Sequence, residues 1–98
     1  MTVVFSDAAV ADMEAIESYI AQFSPHAARG IADQILQSIS LLEQFPAIGR
    51  PGQHFGTREL PIPTTNYVAI YEGSGTRVNI PRIWDARQGG RPILRTDK

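Results

Sequence analysis

Apolar residues recur every three or four positions in the first half of the chain and every two positions in the second. The opening Val3-Val4-Phe5 is short, apolar and β-favouring, and reads as a first strand. Ser6 follows as an N-cap, with Asp7 in the first turn, where the helix dipole favours negative charge. Val10, Met13, Ile16, Ile20 and Phe23 then mark one face of an amphipathic helix, with Asp12, Glu14 and Ser18 on the other side. Ser24-Pro25 ends this helix and begins another, since serine caps well and proline in the first turn forfeits no hydrogen bond. The second stripe is Ala28, Ile31, Ile35, Ile39 and Leu42, flanked by Leu36 and Leu41, and is expected to run to about Phe45, where Pro46 stops it. A connection this short predicts an antiparallel helix hairpin.

Gly49-Arg50-Pro51-Gly52 is a turn cluster, and after it the period changes to two. Alternation over residues 57–62, 67–72 and 77–84 predicts three strands, joined by a turn at Pro63-Thr64-Thr65-Asn66 and a tight hairpin at Gly73-Ser74-Gly75. Pro61 and Pro81 each remove a ladder donor, so each is expected at an edge, at a bulge, or with its nitrogen facing out. The fold class is α+β: a short N-terminal strand and an antiparallel helix hairpin packed on a mainly antiparallel sheet, in the order β-α-α-β-β-β. Residues 1–98 read as one domain, with residues 89–98 a flexible basic tail.

Composition narrows the function. Cysteine is absent and only His26 and His54 are available, so neither a disulfide framework nor a nitrogen/sulfur zinc site is expected. The start lacks the basic and apolar regions of a signal peptide, and no stretch approaches the ~18 apolar residues that span a bilayer. A soluble cytoplasmic protein without membrane contact is the expectation. The net charge of −1 conceals an asymmetry. Residues 1–48 set Arg29 against Asp7, Asp12, Glu14, Glu17, Asp33 and Glu43, whereas residues 49–98 hold seven arginines and Lys98 against Glu59, Glu72, Asp85 and Asp97. The halves can attract each other, or the basic half can meet an acidic partner. Arginine rather than lysine favours planar two-pronged contacts to phosphate or carboxylate.

The ordered phrases Val4-Phe5-Ser6-Asp7-Ala8-Ala9, Asp12-Met13-Glu14-Ala15-Ile16, Tyr19-Ile20-Ala21, Leu42-Glu43-Gln44-Phe45-Pro46-Ala47-Ile48-Gly49-Arg50-Pro51-Gly52, Gly56-Thr57-Arg58-Glu59-Leu60, Tyr67-Val68-Ala69-Ile70-Tyr71 and Arg82-Ile83-Trp84-Asp85-Ala86-Arg87-Gln88 resemble the RelE/ParE toxin superfamily. The resemblance spans roughly residues 3–88 and favours the ParE branch of plasmid stabilisation proteins. It implies a toxin neutralised by a cognate antitoxin whose disordered segment folds on binding. The ParE-like target is DNA gyrase; the RelE-like alternative is ribosome-dependent cleavage of mRNA. A third reading is a family member that binds antitoxin without toxicity. Neither a cofactor nor a small-molecule ligand is implied.

Metal-free RNA cleavage needs a base for the 2′-hydroxyl, an acid for the leaving oxygen and cations for the phosphorane. The residues open to that reading are Arg82, Arg87, His54 and Asp85. Guanidinium is no base, and the position of Asp85 carries His in the resembling motif. Asp85 serves as a base only with a raised pKa, whereas neighbouring arginines predict a lowered one and an ion-pair role. A binding surface without catalysis is therefore the first reading, with Arg50, Arg58, Arg82, Trp84, Arg87 and Arg91 as its contacts. Several of these have structural roles to fill as well: Arg50 in positioning the turn or pairing with the acidic helix, Glu59 in fixing an arginine, and Trp84 in anchoring the core. Tyr67 and Tyr71 share a strand face and are expected in the core, and His26 is expected on the surface.

Overall fold

The computed structural model describes residues 1–88 together with Pro92 and Leu94. Strand β1 (Thr2–Phe5) leads into helices α1 (Asp7–Ala21) and α2 (Pro25–Ser40), a 3-10 turn (Leu41–Glu43) and strands β2 (Arg50–Pro51), β3 (Arg58–Pro61), β4 (Tyr67–Ser74) and β5 (Arg77–Asp85). Both serine caps form as the sequence predicts: Ala9 N–H donates to Ser6 Oγ at 3.0 Å and Ala27 N–H to Ser24 Oγ at 3.1 Å.

Both helices end earlier than their apolar spacing implies. Phe23 N–H and Ser24 N–H each donate to the Ile20 carbonyl at 3.0 Å, which closes α1 and frees Ser24 to cap α2. Phe23 then lies beyond the helix and is 73% exposed. At the end of α2 the chain tightens into the 3-10 turn, which places Leu42 fully in the core and leaves Phe45 exposed.

The sheet has five strands in the order β1-β5-β4-β3-β2, with β1 parallel to β5 and the remaining pairs antiparallel. The helix hairpin covers one face. Ala9, Met13, Ile35 and Ile39 from the helices meet Leu60, Tyr71, Val78 and Ile80 from the strands. Two turns differ from expectation. Arg50-Pro51, read as part of a turn, is a two-residue edge strand that pairs Arg50 with Glu59 and Pro51 with Arg58. The β4–β5 hairpin turns at Gly75-Thr76 rather than at Gly73-Ser74-Gly75, since Ser74 pairs with Arg77 and Gly75 supplies the positive φ of +62°.

Pro81 sits at a bulge. Ile70 pairs with Arg82 and Glu72 with Asn79, so Tyr71 alone faces Ile80 and Pro81, and the missing donor falls where the ladder is already interrupted. Strand β1 also stops there, at Phe5 opposite Ile80. Side chains take over the uncovered edge of β5: Ser6 Oγ donates to the Pro81 carbonyl at 2.9 Å, and Asp12 Oδ2 accepts from Ile83 N–H at 2.9 Å. The edge is thereby closed to further strand pairing. Pro61 ends β3, past the two residues that pair with β2.

Candidate functional site

Four arginines of the basic half, Arg50, Arg58, Arg82 and Arg87, are held by the fold. Arg82 reaches from β5 to α1, its Nε donating to Asp12 Oδ2 at 2.7 Å and its Nη2 to Asp12 Oδ1 at 2.9 Å. Asp12 thus faces the sheet edge, not solvent as its place on the helix implied. Arg87 donates from Nη2 to Asp85 Oδ2 at 2.7 Å and from Nε to Oδ1 at 3.1 Å, and its backbone N–H adds a third bond to Oδ1 at 3.0 Å. Arg50 pairs across the β2–β3 ladder with Glu59 at 3.4 Å, not with the acidic helix. Arg58 Nη1 donates to the Gly49 carbonyl at 2.7 Å.

Arg58 shares the loop after the helices with Tyr71. The Tyr71 hydroxyl donates to the Pro46 carbonyl at 2.8 Å and accepts from Gly49 N–H at 2.8 Å. Glu59 is buried beside this loop and accepts from Gln53 N–H at 3.3 Å as well as from Arg50. The core role expected of Tyr71 is therefore joined by a second one, fixing residues 46–49.

Tyr67 lies four residues before Tyr71 on β4, two repeats of the pleat away, on the same face. It lines an open cleft of about 570 Å³ between α1 and the end of β5, together with Ala15, Ile16, Tyr19, Asp85, Arg87 and Gln88. A smaller hollow of about 180 Å³ shares Tyr67 and Asp85 and continues to the Asp12–Arg82 pair. Hydrogen bonding by the Arg87 side chain is the leading cause that holds the Asp85 carboxyl below its ordinary value of 3.8. Burial raises the Tyr67 phenol above 10.0, with the Asp85 charge adding to the shift.

The remaining sites lie apart. His54 does not line the cleft; its Nε2 donates to the Pro92 carbonyl at 3.1 Å, and its own carbonyl accepts from Thr57 Oγ1 at 2.6 Å. His26 is exposed, as expected. Trp84 is half-buried and stands outside the main core cluster, because strand alternation turns Ile83 toward the helices and Trp84 to the other face. Arg91, like most of the basic tail, lies outside the described residues. Sequence patterning misses two features: Asp12 as the partner of Arg82, and Arg77, an exposed guanidinium with no partner among the described residues. No local signal marks the first; the second sits beside the hairpin glycine and is legible as a surface cation.

With this geometry in place, residues 3–89 match the family model described as the ParE toxin of the type II toxin–antitoxin system parDE. The chain belongs to the ParE toxin family. A Sinorhizobium fredii (strain NBRC 101917 / NGR234) protein named "Putative toxin Y4kP" is 33% identical over 82 residues, which cover 84% of each chain. Among solved structures, a chain of the "Chromosomal ParDE TA system from P. aeruginosa" superimposes with a TM-score of 0.78 at 27% identity, covering 85% of this chain and 92% of that one. This ParE-family chain has no helix among its described residues that is long and apolar enough to cross a membrane. Nor do the described residues contain a cluster of three His, Cys, Asp or Glu side chains able to hold a metal ion.

The Asp85–Arg87 contact of this ParE-family chain has a testable acid limit. A depressed folded-state pKa means that any stability from the contact is present above the unfolded value and is lost only as pH falls through the lower folded one. In a carbon-13 NMR titration the Asp85 carboxyl is expected to titrate below 3.8 and to return to the ordinary carboxylate range in Arg87→Gln. A midpoint unmoved by that substitution removes the ion pair as the cause.

Proposed function

We propose that this ParE-family chain acts in the cytoplasm as a non-catalytic poison of DNA gyrase, neutralised by a cognate antitoxin. The observation that carries the non-catalytic reading is the commitment of Arg50, Arg58, Arg82 and Arg87 to internal acceptors. A nuclease needs cations free to meet phosphorane charge and a base able to take a proton. Here these four cations are already paired, and Asp85 is held ionised with its lone pairs turned to Arg87. Within the proposed contact set, Arg50 and Arg87 present the exposed guanidinium groups and Trp84 an aromatic face, with Arg91 beyond the described residues. Arg58 and Arg82 contribute by holding the loop and the helix against the sheet.

Purified protein added to gyrase, ATP and relaxed plasmid is expected to abolish supercoiling and accumulate cleaved DNA. Alanine at Arg50 or Arg87 should weaken this by degrees. Unchanged supercoiling by the host's own gyrase, with translation-dependent transcript ends appearing on induction, overturns the gyrase reading in favour of mRNA cleavage.

Antitoxin binding draws support from the apolar side chains left in solvent. Phe23 is 73% exposed and Phe45 53%, both near helix ends, and Phe55 projects fully from the loop before β3. A segment that folds on binding suits such dispersed anchors. Co-expression of the neighbouring reading frame is expected to restore growth of cells producing the chain. Equal killing with that frame present refutes neutralisation by its product.

A further inference from the structure

The sheet ends in β1 on one side and in β2 on the other, and the two edges are built differently. Strand β2 is only Arg50-Pro51, and a short edge carrying a charge and a proline discourages a further strand. The stretch of β5 that β1 leaves uncovered is closed by Ser6 and Asp12. Strand β1 carries none of these devices. Residues 1–6 contain no charged side chain and no proline, and Val3-Val4-Phe5 is β-favouring. Thr2 N–H donates to the Thr76 carbonyl at 2.9 Å and Ser6 N–H to the Ile80 carbonyl at 3.1 Å, so the even positions of β1 face β5. The N–H and C=O of Val3 and Phe5 point the other way, and no described residue pairs with them. Val3 and Phe5 pack their side chains against the core, whereas Val4 takes the opposite face of the strand and is 37% exposed.

We propose that β1 is a self-association edge: two copies of this chain join antiparallel about a twofold axis at Val4, fusing their five-stranded sheets into one. In that register Val3 is opposite Phe5 of the second copy and Phe5 is opposite its Val3, so every outward N–H and C=O of both strands finds a partner. Val4 meets Val4 of the second copy in the close, non-hydrogen-bonded position, where the two β-branched side chains cover each other. The strand is its own complement. Apolar residues meet around the axis, and Asp7, the first charge, falls opposite Met1 of the second copy rather than opposite another acid. A charged segment of another protein gains nothing electrostatic from an uncharged edge, whereas a second β1 gains the whole ladder and buries the same apolar side chain from both sides. The contact uses the same edge of each copy, so assembly stops at the dimer.

Pairing at β1 needs nothing from the toxin role proposed above, so either can fail alone. Sedimentation equilibrium of the full chain, from about ten micromolar to about one millimolar, is expected to show a monomer passing to a dimer and no larger species. Hydrogen–deuterium exchange followed by nitrogen-15 NMR reads the edge itself. The Val3 and Phe5 amides are expected to become protected as concentration rises, whereas the Val4 amide, which faces β5, is protected throughout. Val4→Lys sets two like charges opposite each other and should weaken dimerisation at least about tenfold, with the unfolding midpoint of the dilute chain unchanged. Val4→Ile should keep the dimer. If Val4→Lys lowers that midpoint, the exchange of the parent's Val3 and Phe5 amides decides alone. A monomer at every concentration, a dimer whose Val3 and Phe5 amides exchange as fast as in the monomer, species larger than a dimer, a folded Val4→Lys that dimerises like the parent, or protection of the two amides only after the neighbouring reading frame's product is added each overturns the proposal.

Discussion

Gly49→Ala is expected to destabilise the fold by about 2–3 kcal/mol, the range of overpacking at a site that cannot yield. A Cβ at this position would lie 2.6 Å from the Tyr71 hydroxyl, 2.7 Å from its Cε1 and 2.8 Å from the Glu59 carbonyl. None of these can move freely. The ring is packed in the core, and its hydroxyl bridges the Pro46 carbonyl and the Gly49 N–H. Glycine is required here by close approach rather than by a positive φ. The companion variant Tyr71→Phe keeps the ring but strands a buried N–H, which costs about 1–3 kcal/mol. Urea unfolding monitored by Trp84 fluorescence gives both values. A Gly49→Ala midpoint equal to that of the parent would mean the loop holding residues 46–49 is not rigid, and the bridging role of Tyr71 would fall with it.

Asp12→Ala is expected to cost about 1.5–3 kcal/mol, since one carboxylate satisfies three donors at the α1–β5 junction. The site is partly shielded, with the Arg82 and Asp12 side chains 30% and 16% exposed, so the loss exceeds that of a surface ion pair. The Ile83 N–H has no alternative strand partner, because β1 ends opposite Ile80. Asp12→Asn keeps an acceptor for Ile83 and should lose about half as much. A double-mutant cycle with Arg82→Ala isolates the pair, and the coupling is expected to be at least about 0.5 kcal/mol. If Asp12→Ala unfolds within about 0.5 kcal/mol of the parent, as an ordinary surface change does, the edge of β5 is held by packing alone.

The arginines show why the two halves of the chain carry opposite charge. Arg82 and Asp12 realise the attraction between them directly, seventy residues apart in sequence. The other three committed arginines stay within the basic half, on Glu59, on Asp85 and on loop carbonyls. The charge asymmetry is therefore only partly consumed by folding. The exposed guanidinium groups of Arg50, Arg77 and Arg87 remain on the surface.

Local signals in the chain determine much of this protein. Ser6 and Ser24 with Pro25 act on backbone groups within three residues, so both helix starts are legible in the sequence. The change of period from about three and a half to two places the helix hairpin and the strands β3, β4 and β5, because each face needs only its own neighbours in sequence. The ordered phrases from Val4 to Gln88 are enough to indicate the toxin family. What the sequence hides is set by distant partners. The Arg50-Pro51 strand exists because β3 lies beside it, and the Pro81 bulge because β1 stops at Phe5 while β4 continues. Asp12 looks like a solvent residue on the helix until the open edge of β5 arrives next to it. Tyr67 and Tyr71 are alike in sequence, on the same face of one strand. Only packing decides that one hydroxyl meets the chain at residues 46–49 and the other opens into a cleft, since a hydrogen bond depends on where two separately built elements come to rest.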